Sequence, residues 1–211
     1  MAMRPHWHVV SPAVKGAYRG ISAALAGTDF YLAGGTAVAL RLGHRRSDDL
    51  DFFSCGFREV NELQARLVEV FPDLVVTYVA PRTLYGLANG VQVSFFGYGY
   101  PVLTPPDELS PGLLPVAGIP DLTAMKLAAI ASRGSRKDFV DLWFLLQQGI
   151  TLEQSLDWFK KKYPIADIGH VIRSFFYFDE ADEEPSPCMV RPVSWAEIKA
   201  FLLREAERLL A

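Results

Sequence analysis

The stretch from Gly34 to Phe53 limits the fold of this chain more than any other part. It opens on Gly34-Gly35-Thr36, continues through the helix-compatible Ala37-Val38-Ala39-Leu40, turns at the basic Gly43-His44-Arg45-Arg46 and ends in Asp49-Leu50-Asp51-Phe52-Phe53. Tyr31-Leu32 before the glycines and Leu50 to Phe53 after them read as buried strands, so the unit is strand, glycine turn, short helix, strand. Successive strand side chains point to opposite faces, which sets Asp49 and Asp51 on one face and Leu50 and Phe52 on the other. Two carboxylates about 6–7 Å apart along a strand can converge on one hard cation such as Mg²⁺. The first helical turn, at Gly35 and Thr36, offers backbone N–H groups and the positive end of the helix dipole to an anion. A phosphate beside carboxylate-bound Mg²⁺ is what a nucleotide-handling site requires. The plainer alternatives are that the acids merely start a turn and the glycines merely tighten one. Against the first, a carboxylate inside the run Leu50 to Phe53 must be paired, hydrogen-bonded or metal-bound.

Around that unit the periodicities predict helix at 12–26, capped by Ser11 with Pro12 in its first turn, strand at 30–33, helix at 35–42 and strand at 49–54. An amphipathic helix follows at 57–71, ended by Pro72, then strands at 74–79, 84–88 and 91–96, the last two joined by an Asn89-Gly90 hairpin. Residues 97–120, rich in Gly and Pro, read as an irregular connection with at most a short helix near 106–109. Beyond it helices are expected at 121–132, 136–148, 151–162, 166–177 and 195–210, with Gly134 stopping the first and Ser135 capping the second. Asp179 to Pro187 reads as an exposed acidic loop, and the aromatic series 175–178 as core. The expected class is α+β: a mixed sheet flanked by helices in residues 1–118, followed by a helical region, 119–211, packed on it.

The chain has 211 residues, half of them hydrophobic and 21% charged, enough for one sizeable core. A net charge of −3 argues against a broadly basic nucleic-acid binder while leaving room for a local basic patch. Cys55 and Cys188 lie far apart without metal-ligand spacing, and neither a leader-like segment nor an apolar run of membrane-spanning length is present. The expectation is a soluble protein of a reducing cytoplasm, with no membrane partner.

The glycine pair followed by Asp-x-Asp resembles the nucleotidyltransferase superfamily of DNA polymerase β and the minimal nucleotidyltransferases. Gly34 to Leu40, then His44 to Phe52, is more closely similar to the first motif of the AbiEii/AbiGii toxin family of bacterial nucleotidyltransferase-like proteins. A second similar block runs from Lys126 to Ile130 and from Arg133 to Leu142. The resemblance implies a Mg²⁺- (or Mn²⁺-) dependent transfer of a nucleoside monophosphate from an NTP to an acceptor hydroxyl, on a tRNA 3′ end or a protein. It implies the toxin of a toxin–antitoxin or abortive-infection pair, with a cognate antitoxin as partner. The other reading is a nucleotide-binding or interaction module that has kept the fold and lost transfer.

On this resemblance Asp49 and Asp51 are the metal ligands and catalytic acids, and Gly34, Gly35 and Thr36 cradle the triphosphate, the Thr36 hydroxyl reaching a phosphate oxygen. Arg45 and Ser47 match motif positions that could hold the aspartates or the triphosphate, whereas a solvated basic turn explains Arg46. Lys126 shares a helix face with Leu122, Ile130 and Arg133; a lysine there snorkels outward or meets an anion, and the family counts its match in the active site. Asp138 fits a capping box with Ser135, and Asp141 a surface ion pair with Lys137; the resemblance instead turns both toward the site, with Asp141 as candidate general base. The superfamily's third carboxylate is missing: the matching strand reads Val91 to Phe96, where Gln92 or Ser94 could stand in. That departure bears on whether two metals can bind.

Overall fold

The computed structural model describes residues 3–164 and 167–210. Five strands form one mixed sheet: β1 (Tyr31–Ala33), β2 (Asp49–Ser54), β3 (Val75–Ala80), β4 (Thr83–Ala88) and β5 (Val91–Gly97), in the order β1-β2-β5-β4-β3. β2 and β5 run parallel, and the other neighbours are antiparallel. The β4–β5 hairpin turns at Asn89 and Gly90, both with positive φ, as a primed two-residue turn demands.

Alternation along β2 divides the sheet. Leu50, Phe52 and Ser54 are buried on one face, where Phe52 stacks between Tyr18 of α1 (Pro12–Ala24) and Phe95 of β5. On this side α1 packs against α3 (Val60–Val70). The other face carries Asp49, Asp51 and Phe53, all partly exposed. It is flanked by α2 (Gly34–Leu42) and α4 (Ile119–Arg133), with α5 (Arg136–Leu146) behind them. α6 (Leu152–Lys162) and α7 (Gly169–Ser174) pack on α4, and α8 (Asp179–Glu183) and α9 (Trp195–Leu210) on α5. Buried residues on both sides of residue 118 form one hydrophobic cluster.

The expected α+β architecture is present, with local corrections. No helix forms at 106–109: Asp107 instead makes a β-bridge to Val116, and residues 115–117 exchange backbone hydrogen bonds with Leu32 beside β1. The Arg41 side chain fixes this connection by donating to Ala117 O, Val116 O and the Asp107 carboxylate. The helix expected over 166–177 is confined, where described, to α7, and its first residue, Ala166, lies outside the described residues. Leaving the helix lets the chain bury Phe175 and Phe178 while Phe176 and Tyr177 stay exposed, so the aromatic series is only half core. The acidic loop also gains structure, because α8 buries Ala181, and Glu184 accepts from the Ser135 hydroxyl and Arg136 N–H. Glu184, not the Ser135 side chain, caps α5.

Candidate active site

A cavity of about 720 Å³ opens over the Asp49 face of the sheet, between β2, β4 and β5, the start of α2 and one side of α4. Asp49 and Asp51 line it together, in register with Gln92 and Ser94 of β5. Gln92 and Ser94 thus occupy the neighbouring strand positions where a third carboxylate would sit. Burial, with the Asp49 charge beside it, raises the Asp51 carboxyl to about pKa 6; hydrogen bonding to Ser94 and the Lys126 charge only partly offset this.

Gly34 and Gly35 line the same cavity, and each is required there for a different reason. Gly34 has φ +67°, and a Cβ added to it would overlap the Asp51 carboxylate. At Gly35 an added Cβ would lie 2.5 Å from the Arg45 guanidinium. The glycine turn therefore lets the backbone at the head of α2 lie directly against an acid and a cation. Thr36 corrects the expectation of a phosphate contact. Its side chain is buried outside the cavity, where the hydroxyl donates to the Asp49 carbonyl and lies 2.8 Å from the Ser47 hydroxyl. Ser47 in turn donates to Asp49 Oδ1 at 3.3 Å. Thr36 and Ser47 hold the first residue of β2 in place. Arg46 is exposed at the cavity mouth, as expected.

Under the cavity lies a buried ion network. Asp141 Oδ1 and Oδ2 accept from Arg45 Nε and Nη2 at 2.6 and 2.8 Å, a bidentate pair. Asp141 Oδ1 also lies 2.7 Å from His44 Nε2, and Oδ2 lies 2.6 Å from Lys126 Nζ. Lys126 Nζ donates as well to Asp138 Oδ1 at 2.7 Å, and Asp138 receives Arg133 Nε at 2.7 Å. Burial alone would raise both acids, yet Lys126 and Arg45 hold Asp141 well below the usual carboxylate range, and Lys126 and Arg133 lower Asp138. Burial pulls His44 down against the pull of Asp141, so its ring is neutral with Nε2–H as the donor.

Two expectations therefore change. The capping-box and Lys137 readings of Asp138 and Asp141 fail, because both carboxylates point inward to cations of α4 and the turn before β2. A carboxylate saturated by three cationic or N–H partners, fully buried and strongly acidic, is also a poor proton acceptor, so Asp141 positions rather than acts as general base. Lys126 behaves as expected in part: it lines the cavity, and burial would lower it, but Asp141 and Asp138 raise it and keep it charged. His44 and Arg133, which lie within the two resembling blocks but carry no assigned role there, also join the site, since their partners lie far along the chain or across a helix end.

The donor set fits one Mg²⁺ ion. Two carboxylates share a face, a hydroxyl (Ser94) adjoins them, and the open cavity leaves room for the waters and phosphate oxygens that complete an octahedron. Among the described residues no group of three or more His, Cys, Asp or Glu side chains gathers to hold a metal.

Comparison with known proteins bears on the family and the fold. A model of the nucleotidyl transferase AbiEii toxin family, described as part of a type IV toxin–antitoxin system, matches residues 17–104 and 96–210. An uncharacterized protein of Aquifex aeolicus is 39% identical over 184 residues, covering 86% of this chain and 88% of that protein. Among solved structures, the nucleotidyltransferase toxin MenT4 of Mycobacterium tuberculosis superposes with a TM-score of 0.63 at 18% identity, covering 93% of this chain and 82% of that one. The protein JHP933 of Helicobacter pylori superposes with a TM-score of 0.58 at 19% identity, covering 93% and 90%. At such identities the structural likeness establishes the fold.

Proposed function

Given that the chain belongs to the AbiEii nucleotidyl transferase toxin family, we propose that it transfers a nucleoside monophosphate from an NTP to an acceptor hydroxyl, as the toxin of a pair with a cognate antitoxin. The observation that carries this reading is the convergence of Asp49, Asp51 and the Gly34-Gly35 turn on one cavity. Asp49 and Asp51 would hold one Mg²⁺ or Mn²⁺, which when bound supplies charge neutralisation to the phosphates and orients the α-phosphate. The backbone N–H groups at the head of α2 face the triphosphate at the positive end of the helix dipole. Lys126, charged and fixed by Asp138 and Asp141, lines the cavity with one ammonium N–H to spare and would stabilise the charge that develops on the leaving pyrophosphate. Exposed Arg46 and Lys137 at the rim add positive potential. The acceptor oxygen bonds to the α-phosphorus, the bond to the β-phosphate oxygen breaks, and the hydroxyl proton passes to water in the open cavity. Rate enhancement on this account comes from positioning and electrostatics.

Gln92 and Ser94 at the neighbouring strand positions favour a second reading, a module that binds nucleotide with metal but does not transfer it. Purified protein incubated with each α-labelled NTP, Mg²⁺ and total bacterial RNA separates the two. Label on RNA or on protein that disappears with Asp51→Asn establishes transfer and names the acceptor class. Magnesium-dependent binding without labelled product establishes the module.

A further inference from the structure

The cavity is not uniform along its length. Asp48, Asp49 and Asp51 gather at the beginning of β2 beside Gly34 and Gly35, whereas Phe53 and Phe96, two residues farther along β2 and β5 than Asp51 and Ser94, form an aromatic floor with ring centroids 4.9 Å apart. Tyr85 of β4, paired with Ser94 and so level with Asp51, packs edge-on against Phe96 at 5.6 Å. α4 repeats the gradient in the opposite chain direction: Leu122 and Met125 line the cavity nearer the helix start, and the cations Lys126 and Arg133 follow toward the acid end. The two gradients are aligned. Asp121 at the start of α4 binds Lys162 Nζ, Lys162 Nζ lies 5.3 Å from the Tyr98 ring centroid, and Tyr98 packs edge-on against Phe53. The helix start therefore lies at the aromatic end, and the acids Asp48, Asp49 and Asp51 are confined to the other.

We propose that this apolar end, formed by Phe53 and Phe96 on the sheet and by Leu122 and Met125 on α4, seats the nucleobase of the NTP whose triphosphate lies at Gly34 and Gly35. The proposal rests on the nucleotidyltransferase reading and adds the placement of the base. Two residues of strand, about 6.6 Å, separate Asp51 from Phe53, the step a ribose takes between its 5′-phosphate and its base. The Phe53 and Phe96 rings stack on each other and turn their edges to the slot; these edges, with the apolar side chains of Leu122 and Met125, suit a base, whose faces are then shielded from water. A triphosphate could not occupy that end without leaving its charges among phenyl rings and aliphatic side chains.

The test is the affinity of the full-length protein, with Mg²⁺, for each NTP and for inorganic tripolyphosphate, in the wild type and in Phe96→Ala and Met125→Ala. The wild-type comparison needs no substitution and guards against variants that fail to fold. The proposal expects at least one NTP to bind about tenfold or more tighter than tripolyphosphate. It also expects both variants to erase most of that advantage while leaving tripolyphosphate affinity unchanged. Equal affinity of the wild type for all of these ligands would overturn it, as would equal loss for both ligand types. An intact NTP affinity with a raised KM for the acceptor would overturn it too, assigning the slot to the acceptor. If Asp51→Asn abolishes metal-dependent NTP binding while the two variants change nothing, only the base placement fails. If neither NTP nor tripolyphosphate binds, the nucleotidyltransferase reading fails with it.

Discussion

At the scale of single residues, Asp51 carries opposite demands from folding and from function. Its carboxyl sits against the Gly34 backbone with Asp49 beside it, and burial raises its pKa to about 6. A group whose folded pKa is raised above its unfolded value loses its stability contribution as pH rises through the folded pKa, so near neutral pH the ionised Asp51 works against folding. Asp51→Asn is therefore expected to stabilise the metal-free protein by roughly 1–3 kcal/mol at pH 7 to 8 in urea titrations, while abolishing transfer. Added Mg²⁺ should raise the melting temperature of the wild type and leave that of the variant unchanged. A destabilised, magnesium-responsive Asn variant would contradict this account of the pair. Asp141 sits at the other extreme. Replacing it with Ala strips a carboxylate from Arg45, Lys126 and His44 together, and the remaining buried charges should cost about 3–5 kcal/mol of stability, read from the urea midpoint. The Asp49-x-Asp51 pair was legible in the sequence because period two along a strand fixes a shared face. The inward turn of Asp138 and Asp141 was not: a helix surface and a buried network present the same letters, and their partners lie up to 97 residues away. Thr36 misled for a related reason, since its backbone belongs to the glycine turn while its side chain belongs to β2.

At the scale of elements, the connection from α2 to β2 and the helix α5 are bound through His44, Arg45 and Asp141, and this bond has a pH signature. His44 is held neutral by burial, so stability is lost as pH falls below its unfolded value near 6.5. Asp138 and Asp141, both lowered, add a further loss as pH falls below about 3.8, the ordinary carboxylate value. Asp51 works in the opposite sense, gaining stability as pH falls through 6 toward 4, and would mask the histidine. The profile is therefore best measured in Asp51→Asn, where the unfolding midpoint should decline from pH 7 to pH 5, and a further His44→Asn substitution should flatten that decline. An unchanged slope in the double variant would show that His44 is not the buried neutral group. Strand and helix positions were mostly legible, since β2, the β4–β5 hairpin, α4 and its Gly134 stop follow from periodicity and turn chemistry. The cap of α5 was not, because it comes from Glu184, beyond three intervening helices.

At the scale of the whole molecule, the boundary expected at residue 118 divides the sequence more sharply than the folded chain. Arg45 and His44 before it are neutralised and hydrogen-bonded by Asp141 after it, the Gly35 turn abuts the same cluster, and α4 supplies one wall of the cavity. We infer that residues 1–118 do not fold independently: expressed alone, that fragment should lack cooperative unfolding, and mixing it with residues 119–211 should restore a transition only if the two associate. A cooperatively folded 1–118 fragment would show that the buried network is dispensable. No described helix is long and apolar enough to cross a membrane. The central claim is that the cavity moves a nucleoside monophosphate, and one paired measurement reaches it directly: incubation with Mg²⁺, acceptor-containing extract and the same NTP labelled on either the α- or the γ-phosphate. The account predicts α-label on the acceptor, γ-label released as pyrophosphate, and neither with Asp51→Asn. Transfer of the γ-label to the acceptor, or α-label transfer that survives Asp51→Asn, would contradict it.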